Sequence, residues 1–333
     1  MIFSAAFVVT LGAVFVWVGQ GPGKPLPPEF VLYAKDPKPV SDQLAPVGAW
    51  ADPSAVAMIG GRLFVLDSGN DRVIEVDREG RAVAVLCESG DCRFLLKEPR
   101  AMAALGGELY IANTGAGQVV VLAADGSASR SIDIRAPGAP ATGRFLPSGI
   151  AVSPNGEIYV ADTEKNTVLR LSNDGGESAV FLDGVGDSEK YRLSRPTGLA
   201  VDASGNVYVA SSGSGRIRKY SPEGRHLQEF AMRSNPEYFS PAYVALDASG
   251  NVYFTDNRSR MVYVYNQQGT LVGVVGLLNA SRVDSPGVLR EPAGLLLAGD
   301  TLYVADRESG LFGFRIDREY WKTVQRANEW VHR

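Results

Sequence analysis

Six positions of this chain carry side chains able to ligate a metal or move a proton, and they recur at 45 to 50 residue intervals: Asp67, Asn113, Asp162, Ser211, Asp256 and Asp306. Each closes a strand-like run (LFVLD, LYIAN, IYVAD, VYVAS, VYFTD, LYVAD). Each has a proline 14 or 15 residues upstream: Pro53, Pro99, Pro147, Pro196, Pro241 and Pro292. A short polar side chain just before a turn most often accepts backbone N–H bonds there. A residue found once per repeat is also spread round the molecule rather than gathered on one atom. These six are therefore read as structural turn residues. Chemistry is expected where the repeats converge, at the residue after each proline: Ser54, Arg100, Ser148, Thr197, Ala242 and Ala293. None is a carboxylate, amide or imidazole, and an arginine among them would repel a divalent ion that needs anionic oxygens. His226 and His332 are the only histidines, too few for a zinc centre. No nucleophile elbow or phosphate loop appears.

The elements that must hold these residues follow from the same register. Each unit reads as four strands: one after the proline, one ending at the polar residue, an apolar run such as VLRL, and a fourth after a glycine turn at Gly80, Gly126, Gly175, Gly224 or Gly269. A period of this length, six times over, predicts an all-β, six-bladed β-propeller. The second strands are apolar on both faces, as stacked blades require. The sixth unit stops after LFGFRID without a fourth strand, which would leave an open sheet edge. The segment EFVLYA, residues 29–34, has strand composition and is expected to close the ring.

The motif P-x-G-[IL]-A-V followed by G-N-[IL]-Y-V-[AT]-D resembles the NHL-repeat family of six-bladed propellers from about Pro53 to Asp317; VYFTDNRSRMVYVY also looks like a YWTD-type blade. Propellers similar to gluconolactonases place Asp and Asn beside the blade proline to hold a catalytic cation, and streptogramin-lyase-like ones place His there. The axial set of this chain departs from both. The resemblance therefore implies a propeller that is not an enzyme and carries no cofactor, with a metal-dependent lactonase or lyase-like hydrolase, or a sensor binding a sugar or cell-wall fragment, as the alternatives.

Outside the repeats, residues 1–18 contain the uncharged run IFSAAFVVTLGAVFVWV, long enough as a helix to cross a bilayer or to serve as a signal. Residues 19–28, GQGPGKPLPP, form a linker, residues 29–317 the propeller, and residues 318–333 a helical tail whose Tyr320, Trp321 and Trp330 are candidate partner contacts. Tyr238 and Phe239, with Arg144, sit in loops that lead into blades and are further candidates. Cys87 and Cys92 are close enough for a disulfide, as expected of an exported protein. The net charge of -4 opposes nucleic-acid binding. Together these features predict a membrane-anchored, periplasmic or extracellular scaffold, an extrinsic subunit of a membrane protein complex.

Overall fold

The computed structural model describes residues 34–39, 49–77, 81–87, 96–126, 128–134, 145–175, 178–184, 193–230, 240–276 and 289–316. They form six four-stranded antiparallel sheets, the six blades. In blade 3 the order from the axis outward is Pro147–Val152, Ile158–Asp162, Thr167–Leu171 and Ser178–Leu182. The inner strands of the other blades are Pro53–Ile59, Pro99–Leu105, Pro196–Val201, Pro241–Leu246 and Pro292–Ala298. Each inner strand packs beside the next, and that of blade 6 returns to blade 1, so the ring is closed.

No single central core exists. Burial is divided into six slabs, each between two adjacent blades; Phe64, Leu66, Met102, Ile111 and Val120, for example, fill the space between blades 1 and 2. The second strands must satisfy two slabs at once. Leu63 and Val65 face blade 6, while Phe64 and Leu66 face blade 2. A strand with period-2 alternation and two apolar neighbours is apolar on both faces through its middle, with charge confined to its ends. The outer turns use the expected glycines, with Gly126 at φ 88° and Gly224 at φ 83°, a region closed to most side chains.

The last sheet is completed by a strand from the other end of the chain. Ala34–Pro39 pairs antiparallel with Gly310–Ile316, Ala34 opposite Ile316 and Pro39 opposite Phe312. This strand lies further along than the expected segment 29–34, of which only Ala34 belongs to it; residues 29–33 lie outside the described residues. Apolar composition pointed to EFVLYA; among the described residues the pairing falls on AKDPKP, a charged and proline-containing sequence suited to an outermost edge.

The anchor 1–18, the linker 19–28 and the tail 318–333 with Tyr320, Trp321 and Trp330 also lie outside the described residues, as do Arg144, Tyr238, Phe239 and Cys92. Cys87 ends the outer strand of blade 1. Neither terminal helix of the expected fold falls within the description. Among the described residues no helix is long and apolar enough to cross a membrane.

Strand Ala34–Pro39 covers an edge that would otherwise stand open. A chain truncated to begin at residue 40 should therefore melt about 10 °C lower than one beginning at residue 34, as read by calorimetry. Equal melting temperatures would show that the ring does not depend on this strand.

Candidate active site

All six inner strands begin at one end of the axis, the mouth, with the proline followed at once by a register shift; in blade 1 it falls between Pro53 and Ala55, and in blade 5 between Pro241 and Tyr243. Proline has no N–H to give to the ladder, so the break costs little there. The residue after the proline is freed from regular pairing.

The loop before each proline is held by the polar residue that ends the second strand of the same blade. Ala51 N–H donates to Asp67 Oδ1 at 2.7 Å, Lys97 N–H to Asn113 at 2.6 Å, Leu146 N–H to Asp162 at 3.0 Å, Ser194 N–H to the Ser211 hydroxyl at 3.1 Å and Ser240 N–H to Asp256 at 2.5 Å. Asp306 accepts four backbone donors, from Arg290, Glu291, Glu308 and Ser309. Asp67 also carries a buried ion pair with Arg72 at 2.8 Å. These side chains fix the mouth rather than occupy it.

Strain collects at the same rim. Asp52, Glu98 and Arg195, each immediately before a blade proline, have φ of 56°, 46° and 50°. This conformation is unfavourable for such residues, of order 1–3 kcal/mol each. The preceding blade secures two of them: Asp71 accepts the Glu98 N–H at 2.8 Å, and Asn166 accepts the Arg195 N–H at 2.7 Å.

Inside the rim the predicted axial residues divide into two kinds. Ser54 is buried, its hydroxyl 2.5 Å from that of Ser68; Ser148 Oγ lies 3.1 Å from the Ala161 carbonyl and 2.7 Å from Thr163 Oγ1; Thr197 Oγ1 lies 3.4 Å from the Ala210 carbonyl. Ala242 and Ala293 bring no polar group. Arg100 is different: it is exposed, and among the described residues it has no hydrogen-bond or ion-pair partner.

The sequence reading overlooked a second polar set, the residues that follow the turn positions: Ser68, Thr114, Thr163, Ser212, Asn257 and Arg307. Thr114 donates to the Pro147 carbonyl and Thr163 to the Pro196 carbonyl at 2.6 Å, so each hydroxyl serves the inner strand of the next blade. Arg307 lies 3.3 Å from Asp52 and 3.9 Å from Glu291, joining blade 6 to blade 1. The buried Oδ1 of Asn257 has no partner among the described residues. The signal was present in the repeat, since every one of these positions is polar.

Tyr243 was also missed. Its hydroxyl donates to the carbonyl of Met102 at 2.9 Å, from the inner strand of blade 5 to that of blade 2, directly across the ring. The ring packs beside the slabs between blades 5 and 6, 1 and 2, and 2 and 3. Burial pushes its hydroxyl up to about 12, so it remains a proton donor at neutral pH. Its backbone N–H donates to Thr255 Oγ1 at 3.0 Å, and Thr255 Oγ1 in turn reaches the Ala293 carbonyl at 3.0 Å.

A divalent ion does not fit this set. Among the described residues no three His, Cys, Asp or Glu side chains are grouped to hold one, and the only formal charge on the residues after the prolines is that of Arg100. What the residues after the prolines offer is neutral hydroxyls, anchored largely on backbone carbonyls, and the guanidinium of Arg100, which has no partner among the described residues.

Residues 141–244 match the SMP-30/Gluconolactonase/LRE-like region family. No curated protein matches the chain. Among solved structures the fold is similar to a gluconolactonase from Xanthomonas campestris, with 18% identity, TM-score 0.60, and 84% of this chain and 88% of that one covered. It is also similar to a catalytically inactive virginiamycin B lyase from Staphylococcus aureus with quinupristin, with 12% identity, TM-score 0.58, and 81% and 83% covered. A third likeness, in the nidogen/laminin complex, has 18% identity and TM-score 0.53 over 67% of this chain and 79% of that one. At these identities the likenesses establish the six-bladed ring alone. The expectation that the chain is not an enzyme is corrected by the match over residues 141–244, which lies in an enzyme-type region and takes in the whole of blades 3 and 4. That expectation relied on absent metal ligands, which bear on one mechanism and not on catalysis in general.

Removing Asp306 strands four backbone donors, whereas Ser211 holds only the two polar groups of Ser194. Asp306→Ala should therefore cost about 3 kcal/mol or more, and Ser211→Ala about 1 kcal/mol, in urea denaturation. Equal losses would show that the clasp does not act through these bonds.

Proposed function

We propose that this protein is a lactonase- or lyase-type enzyme that opens a cyclic ester in the axial mouth. The observation that carries the reading is the family match over residues 141–244, because that region contains the mouth residues Ser148, Thr163 and Thr197. The strained rim supports it, since backbone strain gathers where geometry is imposed for function.

Opening a lactone by water forms a bond from water oxygen to the carbonyl carbon and breaks the ring C–O bond, leaving a hydroxy acid. Negative charge develops on the carbonyl oxygen and ends on the product carboxylate. A fixed donor aimed at that oxygen is usually the largest single contribution to rate. In this reading Arg100 fills that role, its guanidinium having no other partner among the described residues. Glu98, two residues earlier and exposed, is the carboxylate assigned to take the proton from water and to return it to the departing ring oxygen, which leaves as the hydroxyl of the product. The hydroxyls of Ser148 and Thr163 orient a polyhydroxylated ring beside them. Among the described residues no three His, Cys, Asp or Glu side chains gather to seat a metal.

The test is acid release from five- and six-membered sugar lactones, with and without added divalent cations. Arg100→Ala should lower kcat/KM about 100-fold with an unchanged melting temperature, and Glu98→Gln should lower kcat with little change in KM. Folded protein that turns over no cyclic ester, or an Arg100→Ala variant as active as the wild type, would sink the proposal.

A further inference from the structure

The third residue of each inner strand is the place where neighbouring blades touch. These residues are Ala55, Ala101, Gly149, Gly198, Tyr243 and Gly294. A Cβ added at Gly149 would lie 1.8 Å from the Thr197 carbonyl oxygen, one at Gly198 2.6 Å from Tyr243 Cα, and one at Gly294 2.5 Å from Ala55 Cα. Only the smallest residues fit between the strands. Tyr243 occupies this position in blade 5, and its hydroxyl reaches across the axis to the Met102 carbonyl while its ring packs beside the slabs of blades 5 and 6, 1 and 2, and 2 and 3.

We propose that Tyr243 is the floor of the axial site: its ring stops the channel below the mouth, so a ligand enters and leaves by the proline end and its length along the axis is set by this side chain. Arg100 precedes Met102 by two residues on the same inner strand, which places the Met102 backbone about 7 Å further along the strand than that of Arg100. That depth accommodates one five- or six-membered ring lying beside Arg100, and excludes a chain threaded through the propeller. The choice of a single-ring substrate rests on the lactone-opening reading; the floor itself does not.

The floor is tested without substrate. Tyr243→Gly removes the ring and leaves a space shaped for p-cresol, the tyrosine side chain as a free molecule. The glycine variant should melt below the wild type, and millimolar p-cresol should raise its Tm while leaving the wild type unchanged. Tyr243→Phe, which keeps the ring but strands the Met102 carbonyl, should melt about 2–4 °C below the wild type. Equal p-cresol responses in the glycine variant and the wild type overturn the proposal. If the glycine variant does not fold, a Tyr243→Phe protein melting with the wild type overturns it. On the activity side, Tyr243→Gly should shift relative kcat/KM toward lactones carrying a second ring. A wild type silent on every lactone, together with p-cresol binding to the glycine variant, leaves the floor standing and removes the lactone reading.

Discussion

The free inner edges of six sheets govern this molecule. Each innermost strand is paired on one side only, so its other edge brings unpaired backbone groups toward the axis. A narrow ring cannot leave many of these unsatisfied. Hydroxyls from one blade therefore donate to carbonyls of the next, Thr114 to Pro147, Thr163 to Pro196 and Thr255 to Ala293, while Tyr243 serves Met102 from the far side. The neutral, hydroxyl-rich character of the mouth follows from this requirement before any ligand is considered.

The same requirement separates structural from available groups. Most mouth hydroxyls are committed to backbone partners and are useful for orientation rather than for proton transfer. Arg100 stands apart because it is charged, exposed and uncommitted among the described residues. The clasps below it make its surroundings rigid: Asn113 holds the loop before Pro99, and Asp71 of blade 1 holds the strained Glu98. The backbone that carries Arg100 is therefore set before any ligand arrives.

The ring was legible in the sequence because blade architecture is periodic and each period carries its own punctuation of proline, polar turn residue and glycine. Closure was legible as a need, and among the described residues the pairing falls on Ala34–Pro39, a charged and proline-containing sequence that a search for apolar pattern passes over. The site was only half legible. Looking one residue past each proline found Arg100 and the hydroxyls, but in blade 5 that position is Ala242, and the decisive side chain is the next one. The register shift after the proline determines which side chain turns inward, and no spacing rule reveals it. The residues after the turn positions were visible as a polar column but gained meaning only when adjacent blades were brought together.

The bond from Tyr243 to Met102 joins residues 141 apart in the chain, on blades that face each other through the centre. Direct opposition exists only in rings with an even number of blades. In a ring of five or seven, every blade faces a gap. Repeat proteins gain and lose units readily, and nothing within a single blade records how many companions it has. This tyrosine does record it, because its length matches the span of a six-membered ring and its partner is three blades away in either direction. A duplication or deletion of one unit would leave the hydroxyl without its acceptor, so one irregular side chain acts as a gauge of blade number in an otherwise repetitive chain.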